Sequence, residues 1–348
     1  MKIKFKKKIP LDKFIDFSLY NKKSGYYIKK NPFGKKGDFI TSPGISILFS
    51  EMIGIWLVAL WKKLKKPKKI NIVELGAGNG EMMFNIIKTS NQFSFFKNSC
   101  NFFIFEKSIY LKKIQKKKLK NFNVIWLSNL DQVGNTPTIF IGNEFFDSFP
   151  IKQFIKKKRN WFEKYVEISS QSKRFLEKKV DIKKFEKKIG LNLKKGQKFI
   201  EFSPLIFQTI KKISNIINKK NGGLLIIDYG YFSKKMFNTL QSVKKHKKVD
   251  ILKNSGDTDI THLLNYYFLK RIAKKFKLNV NGLSTQRNFL IKLGIIERAE
   301  IISRNAPFLE KANIYYRLKR LIDHNEMGEI FKVMFISNKK INFKIGFR

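Results

Sequence analysis

Ile70-Asn71-Ile72-Val73-Glu74-Leu75-Gly76-Ala77-Gly78-Asn79-Gly80-Glu81 is the stretch whose reading decides the fold. An apolar run with an acidic residue near its end passes directly into Gly-x-Gly-x-Gly. A chain opens the nucleotide pocket of a doubly wound α/β fold in this way. Alternate glycines permit a tight turn and let a ligand lie against bare backbone. In the dinucleotide version, Gly-x-Gly-x-x-Gly, a pyrophosphate sits at the helix N-terminus. Here the third glycine comes one residue early and Glu74 precedes the loop. Both details favour S-adenosylmethionine, which has no phosphate but carries ribose hydroxyls and a cationic methionyl group. An incidental glycine-rich turn is the simpler alternative.

Outward from this loop, strands and helices alternate. Residues 11–20 form a short amphipathic helix. Ile45, Leu48, Phe49, Met52, Ile53, Trp56, Leu57 and Leu60 then fall at i, i+3, i+4, i+7 spacing on a second, stronger helix. The expected sequence continues with strand 70–75, helix 79–89, strand 101–105, helix 108–119, strand 122–126 and strand 137–142. Short charged, hairpin-like segments fill 151–198. Helix 204–219 and strand 224–227 follow, then an irregular block at 229–258, helical segments over 260–322 and a late strand at 331–336. This alternation implies an α/β fold, a parallel sheet with helices on both faces. One domain, 1–348, is expected. It divides into an N-terminal helical extension (1–66), a cofactor-binding half (67–150), an insertion (151–200) and the remainder (201–348) with a second insertion at 229–258.

The 348 residues are 43% hydrophobic and 14% aromatic, enough for a full core. A single cysteine, Cys100, excludes a disulfide scaffold, and three histidines at unrelated spacings give no metal motif. No metal is expected. The net charge of +47 points toward acidic partners. The lysines are spread along the whole chain together with Ile, Phe and Asn, as an AT-rich coding bias produces, so no specific nucleic-acid partner is expected. No run approaches the length of a membrane helix, and residues 1–10 lack the apolar segment of a signal peptide. The expectation is a soluble, cytoplasmic protein.

Several constellations carry chemistry. Strand 101–105 ends at Glu106, a carboxylate placed to accept both ribose hydroxyls. It lies further past the glycines than usual, so an insertion near 90–100 is expected. Strand 137–142 leads into Asn143-Glu144-Phe145-Phe146-Asp147-Ser148-Phe149-Pro150. Ligands bind beyond the carboxyl ends of parallel strands, so Asn143, Glu144 and Asp147 belong beside the methyl donor. Carboxylates among phenylalanines are costly to bury without a cation, and a guanidinium would pair with them bidentately. Gly37-Asp38-Phe39-Ile40-Thr41-Ser42-Pro43 precedes the strong helix, where Thr41 or Ser42 could cap and Pro43 occupy the first turn. Asp228-Tyr229-Gly230-Tyr231 ends the later apolar strand. Asp257-Thr258-Asp259-Ile260-Thr261 could also be helix capping.

Together the segments "SGYY", "GDFITSP", "VELGAGNGE", "NEFFDSFPIKQF", "IIDYGY", "TLQSVKKH", "GDTDIT", "TQRNFLIKLGI" and "MGEIFKV" resemble the MidA family of S-adenosylmethionine-dependent methyltransferases. The resemblance covers nearly the whole chain and keeps the family's order. It implies a class I methyltransferase fold with S-adenosyl-L-methionine as cofactor. For the mitochondrial member it implies activity on arginine in a respiratory complex I subunit, and hence a protein substrate. By match, the catalytic residues are Asn143, Glu144 and Asp147. Cofactor contacts are Glu74, Gly76, Ala77, Gly78, Gly80 and Glu106, with Thr41 and Pro43. Substrate contacts are Gly37, Asp38, Phe146, Asp228 and Tyr229. One departure is Val243, where the family often has an aromatic residue. Two rivals stay open: an RNA or small-molecule methyltransferase, and a cofactor-binding assembly chaperone without catalysis. Oligomeric state is open too, with a homodimer as one option.

Overall fold

β1 (Ile70–Leu75), β2 (Cys100–Phe105), β3 (Val124–Leu127), β4 (Thr138–Asn143), β5 (Gly222–Tyr231), β6 (Asn279–Thr285) and β7 (Phe331–Ser337) build the central sheet, in the order β3-β2-β1-β4-β5-β7-β6. The structure is a computed structural model describing residues 6–29, 41–244 and 247–348. Strands β1 to β5 pair in parallel, while β7 runs antiparallel to both of its neighbours. The strands are apolar runs because both faces are covered. Alternate side chains go to opposite cores: Ile72, Ile139, Ile141, Leu225, Ile227, Val333 and Phe335 to one, and Val73, Phe140, Leu224, Ile226 and Met334 to the other.

The helices that matter for the site are α1 (Leu11–Tyr20), α2 (Tyr26–Lys29), α3 (Ile47–Lys63), α4 (Glu81–Ser90), α5 (Ile109–Lys118) and α6 (Pro204–Lys220). On α1 the buried Leu11, Phe14, Ile15, Ser18 and Leu19 keep helical spacing. The apolar face expected from Ile45 to Leu60 is buried throughout, but its helix is broken. Ser42–Ile45 makes one turn with Pro at its start, and Ser46, not Thr41 or Ser42, caps α3 by accepting from the Leu48 amide. The additional length before Glu106 is a short helix, Ser94–Ser99.

Three differences from the expected elements have tertiary causes. Lys6–Pro10 is a strand, paired antiparallel with Asn160–Ser169 in a second, five-stranded sheet formed mainly by residues 152–202. β5 continues to Tyr231, past the expected end. β6 lies where helix was expected; its polar Asn281 is buried and satisfied only from afar, donating to Ser337 Oγ and accepting from the Phe343 amide. Among the described residues no helix is long and apolar enough to cross a membrane.

Candidate active site

Strand order reverses between β1 and β4, and a ligand crevice opens beyond the carboxyl ends of the strands at such a switch point. Register decides what meets there. Leu75 pairs with Phe105 on one side and Gly142 on the other, and Ile227 pairs with Asn143. Gly76, Glu106, Asn143 and Asp228 therefore stand at nearly the same level of the sheet.

The donor side is made largely of backbone. Gly76 and Gly78 have φ of 67° and 52°, the left-handed region that favours glycine. A Cβ on Gly76 would stand 2.6 Å from the Phe145 ring. Gly80 caps α4, its amide donating to the Ala77 carbonyl at 2.7 Å. The Glu106 carboxylate accepts from the Ser108 amide at 2.9 Å and from Gln115 Nε2 at 3.1 Å. Gln115 Nε2 also donates to the Gly78 carbonyl at 2.8 Å, and its Oε1 accepts from Trp126 Nε1. Gln115 thus ties the glycine loop to Glu106. It is fully buried on a lysine-rich helix, and that buried polar position was the only signal that could have revealed it.

The acceptor side is made of charge. Glu144 follows β4 with φ of 49°, an uncommon backbone for a residue with a side chain. Its amide donates to the Ile227 carbonyl at 2.9 Å, while its Oε1 accepts from the Ser42 amide and Asn143 Nδ2, both at 3.1 Å. Asp228 organises the turn: its Oδ2 accepts from the amides of Phe145 (3.2 Å), Phe146 (2.9 Å) and Asp147 (3.3 Å), and its Oδ1 from the Tyr229 amide (2.9 Å). Burial pushes the carboxyl of Glu144 up to about 8 and that of Asp228 up to about 7. Asp147 is raised well above the carboxylate range by burial, with Asp228, Asp259 and Glu144 adding their repulsion. Among the described residues no lysine or arginine forms an ion pair with Glu144, Asp147 or Asp228.

Two cavities share Gly76, Gly78 and Glu144. The larger, about 400 Å³, runs from Glu106 to Phe145, Tyr20 and Tyr27. The smaller, about 30 Å³, is lined by Thr41, Pro43, Glu74, Ala77 and Asn143. Glu74 Oε2 and Asn143 Oδ1 are buried with no hydrogen-bond partner among the described residues, and burial raises Glu74 to about 8. Two orphaned acceptors beside the glycine loop suit the ammonium of a methionyl group. The Glu106 carboxylate and the bare backbone of the glycine loop complete a fit to S-adenosylmethionine.

Not every expected residue faces these spaces. Phe146 is buried in the core, its ring against Gly142; Phe145 lines the larger cavity instead. Tyr229 packs on Phe331 with ring centroids 4.0 Å apart. Asp228 holds the loop from beneath rather than opening into a cavity. Gly37 and Asp38 lie outside the described residues.

A family of S-adenosyl-L-methionine-dependent methyltransferases matches residues 52–284. Curated relatives include the mitochondrial protein arginine methyltransferase NDUFAF7 of Xenopus tropicalis, 27% identical over 95% of this chain and 83% of the relative. The human protein is 27% identical over 95% of this chain and 80% of its own length. The Caenorhabditis elegans homologue is 30% identical over 79% of this chain and 70% of its own length. A Burkholderia thailandensis crystal structure with S-adenosyl-homocysteine bound superposes with a TM-score of 0.80 at 20% identity, covering 95% of this chain and 88% of that one. The likeness shows the fold. These relatives are named as mitochondrial, which overturns the cytoplasmic expectation.

Proposed function

Because the chain belongs to the S-adenosyl-L-methionine-dependent methyltransferase family, we propose that it methylates an arginine side chain of a protein, with a respiratory complex I subunit as the substrate. One observation carries the acceptor class: Glu144, Asp147 and Asp228 are buried together beside the glycine loop, without a cationic partner among the described residues. Such a cluster is costly alone and is relieved by a cation. A planar guanidinium can meet two carboxylates at once. The relatives named as protein arginine methyltransferases support the same acceptor.

Gly76, Ala77, Gly78 and Gly80 would hold S-adenosylmethionine along the backbone, Glu106 would take the ribose, and Glu74 and Asn143 the methionyl ammonium. Thr41 and Pro43 would close that end. When bound, the cofactor supplies a methyl group on a sulfonium. Arginine is protonated at ordinary pH, so its reacting nitrogen needs a lone pair. Glu144 draws the guanidinium charge toward the nitrogen it contacts and orients the remaining one, with Asp147 adding its field from behind the cavity wall. Glu144, the carboxylate shared by both cavities, accepts the proton that the methylated nitrogen releases. Asp228 keeps that loop in place.

The test is transfer of tritiated methyl from labelled cofactor into lysate protein, followed by acid hydrolysis and mass spectrometry of the labelled chain. Label in methylarginine of a complex I subunit is expected. Label confined to RNA, small molecules or other side chains would sink the arginine reading, and no label at all would favour the chaperone.

A further inference from the structure

The "SGYY" and "GDTDIT" segments meet at this site without having a role in the scheme above. Tyr20 ends α1 and Tyr27 lies in α2; their rings stack 5.6 Å apart with 18° between planes. Both line the larger cavity together with Glu144, Phe145 and Ser148. The Tyr20 hydroxyl shares a 2.9 Å hydrogen bond with Ser148 Oγ, on the loop that carries Glu144 and Asp147. The Tyr27 hydroxyl donates to Asp259, 3.0 Å from either carboxylate oxygen. Asp259 is not a helix cap. It sits in the strand Asp259–Thr261, pairs in register with Val243, is 4% exposed, and acts electrostatically on Asp147. The Tyr27 carbonyl accepts from Ser108 Oγ at 3.1 Å, and the Ser108 amide holds Glu106. Tyr27 is therefore fastened to the donor side through its backbone and to the carboxylate cluster through its hydroxyl.

We propose that the stacked rings of Tyr20 and Tyr27 form the acceptor wall that selects a planar guanidinium, with Asp259 positioning the Tyr27 ring. The proposal rests on the arginine reading. A cation set against an aromatic face is attracted by the ring quadrupole, more strongly where water is excluded. Guanidinium is planar, weakly hydrated and stacks on rings, whereas an ammonium is a compact, strongly hydrated point charge. Carboxylates alone attract either cation; a ring face beside them separates the two. The geometry also explains why Tyr20 is tied to Ser148 and Tyr27 to both Asp259 and Ser108. A selecting wall must keep its distance from the cluster.

The experiment uses the full chain and calorimetry with three probes. One is S-adenosyl-homocysteine. The second is an analogue in which a nitrogen replaces sulfur and carries a propylguanidine, and the third is its propylamine counterpart. Wild type should prefer the guanidine analogue over the amine by about tenfold. Tyr20→Leu and Tyr27→Leu should cut that preference to about twofold or less without changing S-adenosyl-homocysteine affinity. Tyr27→Phe, which keeps the ring, should retain more of the preference than Tyr27→Leu. Asp259→Asn should reduce it while sparing S-adenosyl-homocysteine. A preference that survives loss of both rings overturns the wall, as does S-adenosyl-homocysteine affinity falling in step with the analogues. If instead wild type binds the two analogues equally, the leucine variants weaken both, and cellular label is absent from arginine, the arginine reading fails while the rings remain a cation wall without guanidinium selection.

Discussion

Around residues 74–80 the crevice is walled largely by backbone, whereas around 143–147 it is walled by buried carboxyls and phenylalanine. On the donor side, Gly76 and Gly78 supply conformations and Glu106 already has its hydrogen bonds, from Ser108 and Gln115. On the acceptor side, Glu144, Asp147 and Asp228 are crowded into the interior, and burial raises all three carboxyls above their ordinary range. The first arrangement leaves only Glu74 Oε2 and Asn143 Oδ1 without a hydrogen-bond partner among the described residues; the second crowds three carboxyls together, a strain that a cation relieves. Substitutions in the two halves should therefore separate donor affinity from transfer, and the acceptor half should respond to pH.

The largest expected effect is that of Glu144→Gln. Transfer should fall about 10²–10⁴-fold, the usual contribution of a positioned base, with S-adenosyl-homocysteine affinity changed less than about twofold as read by calorimetry. Equal loss of both would move Glu144 to the donor side and dissolve the comparison. Next is Gly76→Val, which puts a branched side chain on a left-handed backbone against the Phe145 ring. Donor affinity should fall about 100-fold or more, and undiminished affinity would remove the glycine loop from the pocket.

The acceptor half should then show its charge. With Glu144 raised to about 8, kcat/KM for the acceptor should rise with pH, about tenfold per unit below that value, and level off above it. In Glu144→Gln this limb should be missing. Gln115→Leu should weaken S-adenosyl-homocysteine about tenfold, the worth of the lost contacts to Gly78 and Glu106, and leave the acceptor KM in place.

The smallest effect is on stability. A carboxyl raised on folding from 4.5 to about 8 binds more protons in the folded than in the unfolded state between those values. Its contribution is fully present below 4.5 and is lost as pH rises through about 8. Thermal scans should accordingly show Tm falling between about pH 4.5 and pH 8, and falling less in Glu144→Gln. An unchanged slope in the variant would place the burial cost elsewhere.

The donor half was legible because its signals are local. A strand, three glycines and a capped helix follow one another within twelve residues, and each glycine answers a backbone need. The acceptor half was legible only as residue types. Asn143-Glu144…Asp147 announced carboxylates at a strand end, but not which of Phe145 and Phe146 would face the cavity. Nor could spacing show that Asp228 would be spent on backbone amides, because three of the four lie more than eighty positions away along the chain. Gln115 was hidden for the same reason: its partners Gly78 and Trp126 are neighbours only after the sheet forms.

What the sequence determined by itself was periodicity and local conformation: apolar runs long enough to be buried on both faces, alternation of strand and helix, and the glycine turn that admits a nucleoside-bearing cofactor. These depend on interactions within a few residues, which the chain carries wherever it goes. The tertiary structure decided what surrounds the carboxyls after β4. Parallel register brings 76, 106, 143 and 228 to one level, and α1 and α2 fold back to set Tyr20 and Tyr27 against carboxylates drawn from distant segments. Burial, hydrogen-bond partners and shifted protonation arise from that convergence, because each depends on what surrounds a group in space.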